Sequence, residues 1–136
     1  MAHAKFPVEV LTPEGEVFSD EVEQVSTRTV TGSISFLAGH QPLLGMLEPS
    51  ELRLYRTETD VVTLAQGEGY VQVSDKGVLL LVEEAQDPAS LDTADLQDRL
   101  RRSEEELRSC PPESEAYRLA SRDKRRWETF LRIAGA

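Results

Sequence analysis

One cysteine, two histidines and no long apolar run limit what this 136-residue chain can do. Cys110 has no second cysteine to pair with, and a lone thiol without a histidine nearby in sequence is a poor nucleophile or ligand. His3 and His40 are far apart, and no spacing of Cys, His or acidic residues resembles a metal site, so neither metal nor cofactor is expected. No stretch approaches the ~20 apolar residues that cross a bilayer, which argues against direct membrane insertion. The start, MAHAKFPVEVL, lacks the apolar centre of a secretion signal, so the chain is expected to stay where it is made. Basic charge is scarce as well: 15 Lys and Arg face 25 Asp and Glu, a net −10. A phosphate backbone needs a basic face, so no nucleic acid is expected, whereas a basic or polar protein partner suits this balance.

The charge is uneven. Residues 1–86 hold five Lys and Arg against fourteen Asp and Glu, while residues 87–136 hold ten against eleven. Two architectures are therefore expected, with a division between 1–86 and 87–136. In the first, short β-branched runs alternate with turn signals: Thr12-Pro13-Glu14-Gly15, Thr31-Gly32, Glu48-Pro49-Ser50, Thr57 to Asp60, Gly67-Glu68-Gly69 and Asp75-Lys76-Gly77. Turns every eight to twelve residues predict an antiparallel β-sandwich or barrel. Val78 to Val82 shows no polar alternation, which predicts a central strand buried on both faces.

After Asp87-Pro88 glycine is absent until Gly135, and Arg, Glu, Leu and Ala dominate. Ser90 or Asp92 can cap a helix whose apolar positions are Leu96, Leu100 and Leu107 with Ala94 beside them. Ser109-Cys110-Pro111-Pro112 breaks it, and Ser114-Glu115 opens a second helix with Ala116, Ala120, Trp127, Leu131 and Ala134 on one face and Phe130 adjoining. The expected fold is thus an N-terminal antiparallel β-sandwich followed by a C-terminal antiparallel α-helical hairpin. The apolar stripe of the hairpin is thin, which predicts docking on the sandwich by only a few kcal/mol, a balance that a partner or ligand can overturn.

The stretch FLAGHQPLLGML, residues 36–47, presents His40 on a tight turn. Such a histidine can be a catalytic base, a metal ligand or part of a shaped loop. Arg118, Arg122, Arg125 and Arg126 are spaced so that 118, 122 and 125/126 fall along one stripe of the second helix. They can be a solvated face paired with Glu115, Asp123 and Glu128, each pair giving roughly 0–1 kcal/mol, or a surface for carboxylates. An enzyme using His40 with an acid such as Glu83 is opposed by the lack of a second catalytic histidine or a nucleophile motif. Gly67-Glu68-Gly69 is also too short for a phosphate loop. A stand-alone β-sandwich binding module, self-associating through Trp127 and Phe130 of its hairpin, is the alternative to a subunit of a larger assembly.

An ordered series of motifs favours the assembly. Val8-Glu9-Val10-Leu11-Thr12-Pro13-Glu14-Gly15, Val17-Phe18, Gly32, Gly39-His40-Gln41-Pro42-Leu43-Leu44 and Leu52-Arg53 come first. Gly67-Glu68-Gly69-Tyr70-Val71-Gln72-Val73 and Val78-Leu79-Leu80-Leu81-Val82-Glu83-Glu84-Ala85 follow, then the hairpin. Over essentially its whole length the chain resembles the epsilon subunit of F-type ATP synthases, of bacterial type because it carries no transit peptide. The resemblance implies a non-catalytic rotor subunit of the proton-translocating complex, peripheral at the cytoplasmic face of the cell membrane. Its sandwich would grip the gamma subunit and rest on the polar loops of the c-ring. Its hairpin would rise into the alpha/beta catalytic head and block ATP hydrolysis, or fold down against the sandwich.

On this resemblance Gly39, His40, Gln41 and Pro42 form an interface loop at the ring-facing end, with His40 a shape and hydrogen-bonding residue. Thr31, Gly32 and Ser33 match a second ring-contacting loop, with a plain hairpin turn as the other reading. Arg118, Arg122, Arg125 and Arg126 become the inhibitory contacts on an acidic segment of the head. The family's ATP motif, Ile/Leu-Asp-x-x-Arg-Ala, is matched at Leu91 and Asp92 but has Asp95 at the arginine position and Leu96 at the alanine. An acid there repels phosphate, so no nucleotide binding is expected, although Glu83, Arg122 and Arg126 could assist it.

Overall fold

Alternation of apolar and polar residues decides the first strand: Phe6, Val8 and Val10 are buried while Pro7 and Glu9 face out. The computed structural model describes residues 3–135. Ten strands follow in order: β1 (Phe6–Thr12), β2 (Gly15–Val22), β3 (Gln24–Thr29), β4 (Gly32–Leu37), β5 (Leu43–Leu47), β6 (Ser50–Tyr55), β7 (Val61–Gln66), β8 (Gly69–Ser74), β9 (Gly77–Val82) and β10 (Ala85–Gln86). A short 3-10 turn at Pro88–Ser90 leads to α1 (Thr93–Ser109) and α2 (Glu115–Ile133). The chain divides into two compact units, Met1–Asp87 and Pro88–Ala136.

In the first unit the strands run β10-β7-β6-β3 with β4 on the far side of β3, and β5-β8-β9-β1-β2. The two series are joined where Thr29 of β3 pairs with Leu47 of β5. They close as a β-sandwich over a core that includes Val8, Val10, Val25, Phe36, Leu52, Leu54, Val71 and Leu80. The pairing is antiparallel throughout except for β1 and β9, which run parallel with Val8 opposite Val78. Within the core Gln66 is fully buried and satisfied: it accepts from Thr27 Oγ1 at 2.6 Å and donates through Nε2 to the Glu48 carbonyl at 2.9 Å. That network holds the β5–β6 connection beside β3, since an unmade bond there would leave a buried amide unpaired.

The β9 expectation needs correcting. The strand is central, between β8 and β1, yet only one face is buried: Val78, Leu80 and Val82 point inward while Leu81 is 46% exposed. A continuous apolar run reports the absence of polar residues, not the presence of a covering layer.

Glycine at position 69 has a steric reason. A Cβ there would lie 2.0 Å from the Leu81 carbonyl oxygen and 2.7 Å from the Val82 Cα, so β8 can start this close to β9 only with a bare backbone. Gly69 thus serves strand packing.

In the second unit Asp92 caps α1 by accepting from the Asp95 N–H at 3.2 Å, and Ser114 caps α2 by accepting from the Tyr117 N–H at 3.2 Å. The helices have 17 and 19 residues, about 25 and 28 Å at the α-helical rise, and they pack against each other as a hairpin. Leu96, Ala120, Trp127 and Phe130 are buried, joined by Ser103, Arg126 and Thr129. Ala94 and Ala116, expected on the apolar faces, are exposed; each sits in the first turn of its helix. No helix among the described residues is long and apolar enough to cross a membrane.

Candidate functional site

The turn at 31 and the loop at 39 leave β4 in opposite directions. β4 begins at Gly32, just after the Val30-Thr31 turn, and ends at Leu37, just before the 38–42 loop. Six residues of strand put about 20 Å between them. The pairings agree: Thr29 is opposite Leu47, at the end of β5, while Leu43, at its start, is opposite Val73 and next to the β8–β9 turn. A strand therefore separates Thr31, Gly32 and Ser33 from Gly39, His40, Gln41 and Pro42.

Local geometry explains each loop. Gly32 takes φ +130° directly after the two-residue connection, in a region that disfavours a side chain. Thr29 Oγ1 accepts from the Thr31 N–H at 3.2 Å and donates to the Gly32 carbonyl at 3.1 Å, tightening the turn. In the second loop Gly39 takes φ +80°, and the His40 N–H donates to the Leu37 carbonyl at 3.1 Å. Pro42 fixes its own φ where the chain enters β5.

His40 is half-buried, and its ring meets Phe36 edge to face with centroids 4.9 Å apart. Its Nδ1 lies 2.7 Å from the Gln41 carbonyl oxygen. A carbonyl only accepts, so Nδ1 carries the proton and a neutral ring keeps Nε2 as an acceptor. Glu83, the acid weighed as a catalytic partner, follows the C-terminal end of β9, while His40 lies at the end where β9 begins. The two are a strand-length apart, about 20 Å, beyond any proton transfer. Beside the loop lies a cavity of about 350 Å³, lined in part by Phe6, Pro42, Val73 and Val78.

The outer face of β5, β8 and β9 carries a second feature. Met46 is opposite Tyr70, Tyr70 opposite Leu81, and Leu81 opposite Leu11 of β1, one cross-strand row. Met46 and Tyr70 are each 53% exposed, and Leu44, one position along on the same face, is 74% exposed. Sequence reasoning missed this face because Leu44, Met46, Tyr70 and Leu81 read as core-forming positions. The register alone turns them outward.

The arginines of α2 do not form one stripe. Arg118 pairs with Glu115 through both Nε, at 3.0 Å, and Nη2. Arg122 donates twice to Asp123 Oδ1, at 3.1 and 2.9 Å. Arg125 is exposed. Arg126 is buried, with its guanidinium 5.1 Å from the Trp127 ring centroid and Nη2 3.8 Å from Asp123. Arg99 of α1 lies over the same indole at 5.1 Å, so Trp127 draws cations from both helices. Arg126 is thus a structural element of the hairpin, whereas Arg118, Arg122 and Arg125 remain accessible. At the start of α1, Asp95 pairs with Arg99 at 2.9 Å and Asp92 is used as the cap; Leu91 is half-buried.

The Arg118 hydrogen bond holds the Glu115 carboxyl below its ordinary value of 4.5, with the Arg118 and Arg122 charges adding to it, and Glu115 in turn raises Arg118. A carboxyl lowered by folding contributes stability above its unfolded value and loses it as pH falls through the folded one. Helicity of the chain is therefore expected to fall further between pH 5 and 3 than it does in Glu115→Gln, as followed by circular dichroism. The pair is exposed, so the difference is small. Identical acid profiles would show that the pair does not form in solution. Among the described residues no group of His, Cys, Asp and Glu could hold a metal ion.

Residues 5–88 match the family model of the ATP synthase delta/epsilon chain beta-sandwich domain. An ATP synthase epsilon chain of Syntrophotalea carbinolica is 34% identical over 131 residues, covering 96% of this chain and 94% of its own. That of Persephonella marina is 36% identical over 135 residues, covering 96% of each. A chain from the OSCP/F1/c-ring structure of the Euglena gracilis mitochondrial ATP synthase shares the fold, with a TM-score of 0.73, 21% identity and coverage of 97% of this chain and 81% of that one.

Proposed function

Since this chain belongs to the epsilon-chain family of ATP synthases and is a non-catalytic subunit of that complex, we propose that it is a rotor subunit whose sandwich joins the gamma subunit to the c-ring and whose hairpin restrains ATP hydrolysis. The observation that carries the docking half is the apolar row Met46–Tyr70–Leu81–Leu11. A contiguous apolar face on an otherwise acidic domain marks a surface that a partner covers. The Gly39 to Pro42 loop runs directly into β5, where Leu44 starts that face, so loop and face belong to one contact, assigned here to gamma. Thr31, Gly32 and Ser33, at the other end of β4, are assigned to the polar loops of the c-ring. The chain would then be a peripheral subunit at the cytoplasmic face of the cell membrane, held there by its partners. Arg118, Arg122 and Arg125 would meet carboxylates of the alpha/beta head, a role that suits guanidinium forks on an accessible helix face. No role as a nucleotide sensor is proposed, because Asp95 stands where a phosphate-pairing cation is needed and Asp92 is already a cap.

Leu81→Glu tests the contact. The position is exposed, so the variant folds, and its retention by the complex lacking this subunit is expected to fall about tenfold or more, as for a charge placed in an apolar interface. Retention equal to that of the parent would remove the apolar face from the interface.

A further inference from the structure

The cavity beside the 39–42 loop is mostly apolar, yet three polar side chains line it: His40, Asp75 and Ser74, whose hydroxyl accepts from the Lys76 N–H at 3.2 Å. Phe6, Pro42, Val73 and Val78 supply the walls. Among the described residues the Asp75 carboxylate has no hydrogen-bonding or ionic partner, and neither has Nε2 of His40, whose other ring nitrogen is held by the Gln41 carbonyl. The walls are set by the fold. Val73 and Val78 are a cross-strand pair, and Gly77 packs so tightly that a Cβ would lie 2.3 Å from the Pro7 carbonyl oxygen. At about 350 Å³ the space lies at the small end of ligand sites, suited to one side chain and short of a nucleotide. Apolar walls ending in a free carboxylate and an imidazole acceptor match a group with a methylene stem and a cationic, donor-rich head. The domain's own net charge, −9 over residues 1–86, favours the same sign of partner.

We propose that this cavity seats one lysine or arginine side chain of the subunit that binds this end of the sandwich, its stem along Phe6, Pro42 and Val78 and its head at Asp75 and His40. This rests on the interface role proposed above for the 39–42 loop. It adds a charged anchor to the apolar row, which carries no charged side chain.

Two measurements test it. In the first, n-butylguanidinium is titrated into the full chain and followed by amide NMR. Saturable shifts are expected at Gly39, His40, Asp75 and Val78, with affinity about tenfold lower in Asp75→Asn, as for loss of a charged hydrogen bond, and n-butanol binding more weakly. No saturable shift at those residues, or equal affinity in Asp75→Asn, overturns the proposal. In the second, capture by the complex lacking this subunit is compared for the parent, Asp75→Asn and Glu58→Gln. Glu58 is exposed in the β6–β7 turn at the same end and outside the cavity. Weaker capture of Asp75→Asn alone supports the anchor. Equal weakening of both variants reduces the effect to general charge and overturns it. Undiminished capture of Asp75→Asn overturns it too while leaving the loop's interface role intact, and failure of the parent to be captured removes that role and the anchor with it.

Discussion

Ending the chain after Asp87 is expected to raise ATP hydrolysis by the assembled complex, by roughly fivefold or more, while the shortened subunit still assembles. The fivefold figure is the lower edge of ordinary coupling free energies between sites. Assembly should survive because every residue of the sandwich core lies between Phe6 and Ala85, and none comes from the helices. The cut matters: ending at Ala85 would remove Gln86, whose pairing with Ala65 completes β10 against β7, whereas Asp87 closes the first compact unit. Hydrolysis is measured on the complex reconstituted with full-length or shortened subunit, with and without prior exposure to ATP. A rate unchanged in every condition would end the inhibitory role, and loss of assembly would show that the helices are needed for docking.

The second large effect lies in the core. Phe36 is fully buried, and its ring supports His40 from beneath the loop. Phe36→Ala removes a whole aromatic side chain from a packed interior, at a cost of about 3–5 kcal/mol against a total stability of about 5–15 kcal/mol for a domain. The urea midpoint of the sandwich is expected to drop accordingly at unchanged slope. Because the same ring fixes the imidazole, the His40 and Gly39 amide signals should broaden or shift before the domain unfolds. A loss below about 1 kcal/mol would mean that Phe36 is not packed as described, and an undisturbed His40 would mean that its loop holds itself.

Ring support of this kind separates what was legible in the chain from what was not. Alternation around Phe6, Val8 and Val10, the turn residues and the caps at Asp92 and Ser114 are local. Each depends on neighbours within about four positions, and each appears where the residues predict it. The β-sandwich followed by a helical hairpin is legible for the same reason. Leu81 and Arg126 show the limit. An apolar residue in a strand carries no mark of which face will be covered, and an arginine in a helix carries none of whether it will lie against Trp127 or in solvent.

By itself, then, the sequence determined the two-part architecture, the order of strands and helices, the absence of metal-ligand spacing and the membership of a family, because these follow from period, turn chemistry and motif order. Only the tertiary structure decided that residues 31–33 and 39–42 lie at opposite ends of β4, and that the β5–β8–β9 face is left apolar and open. It also set a carboxylate beside His40 from a turn thirty-five residues later. The physical reason is common to all three: strand register and pairing join residues that are distant in the chain, and no local preference encodes those partners.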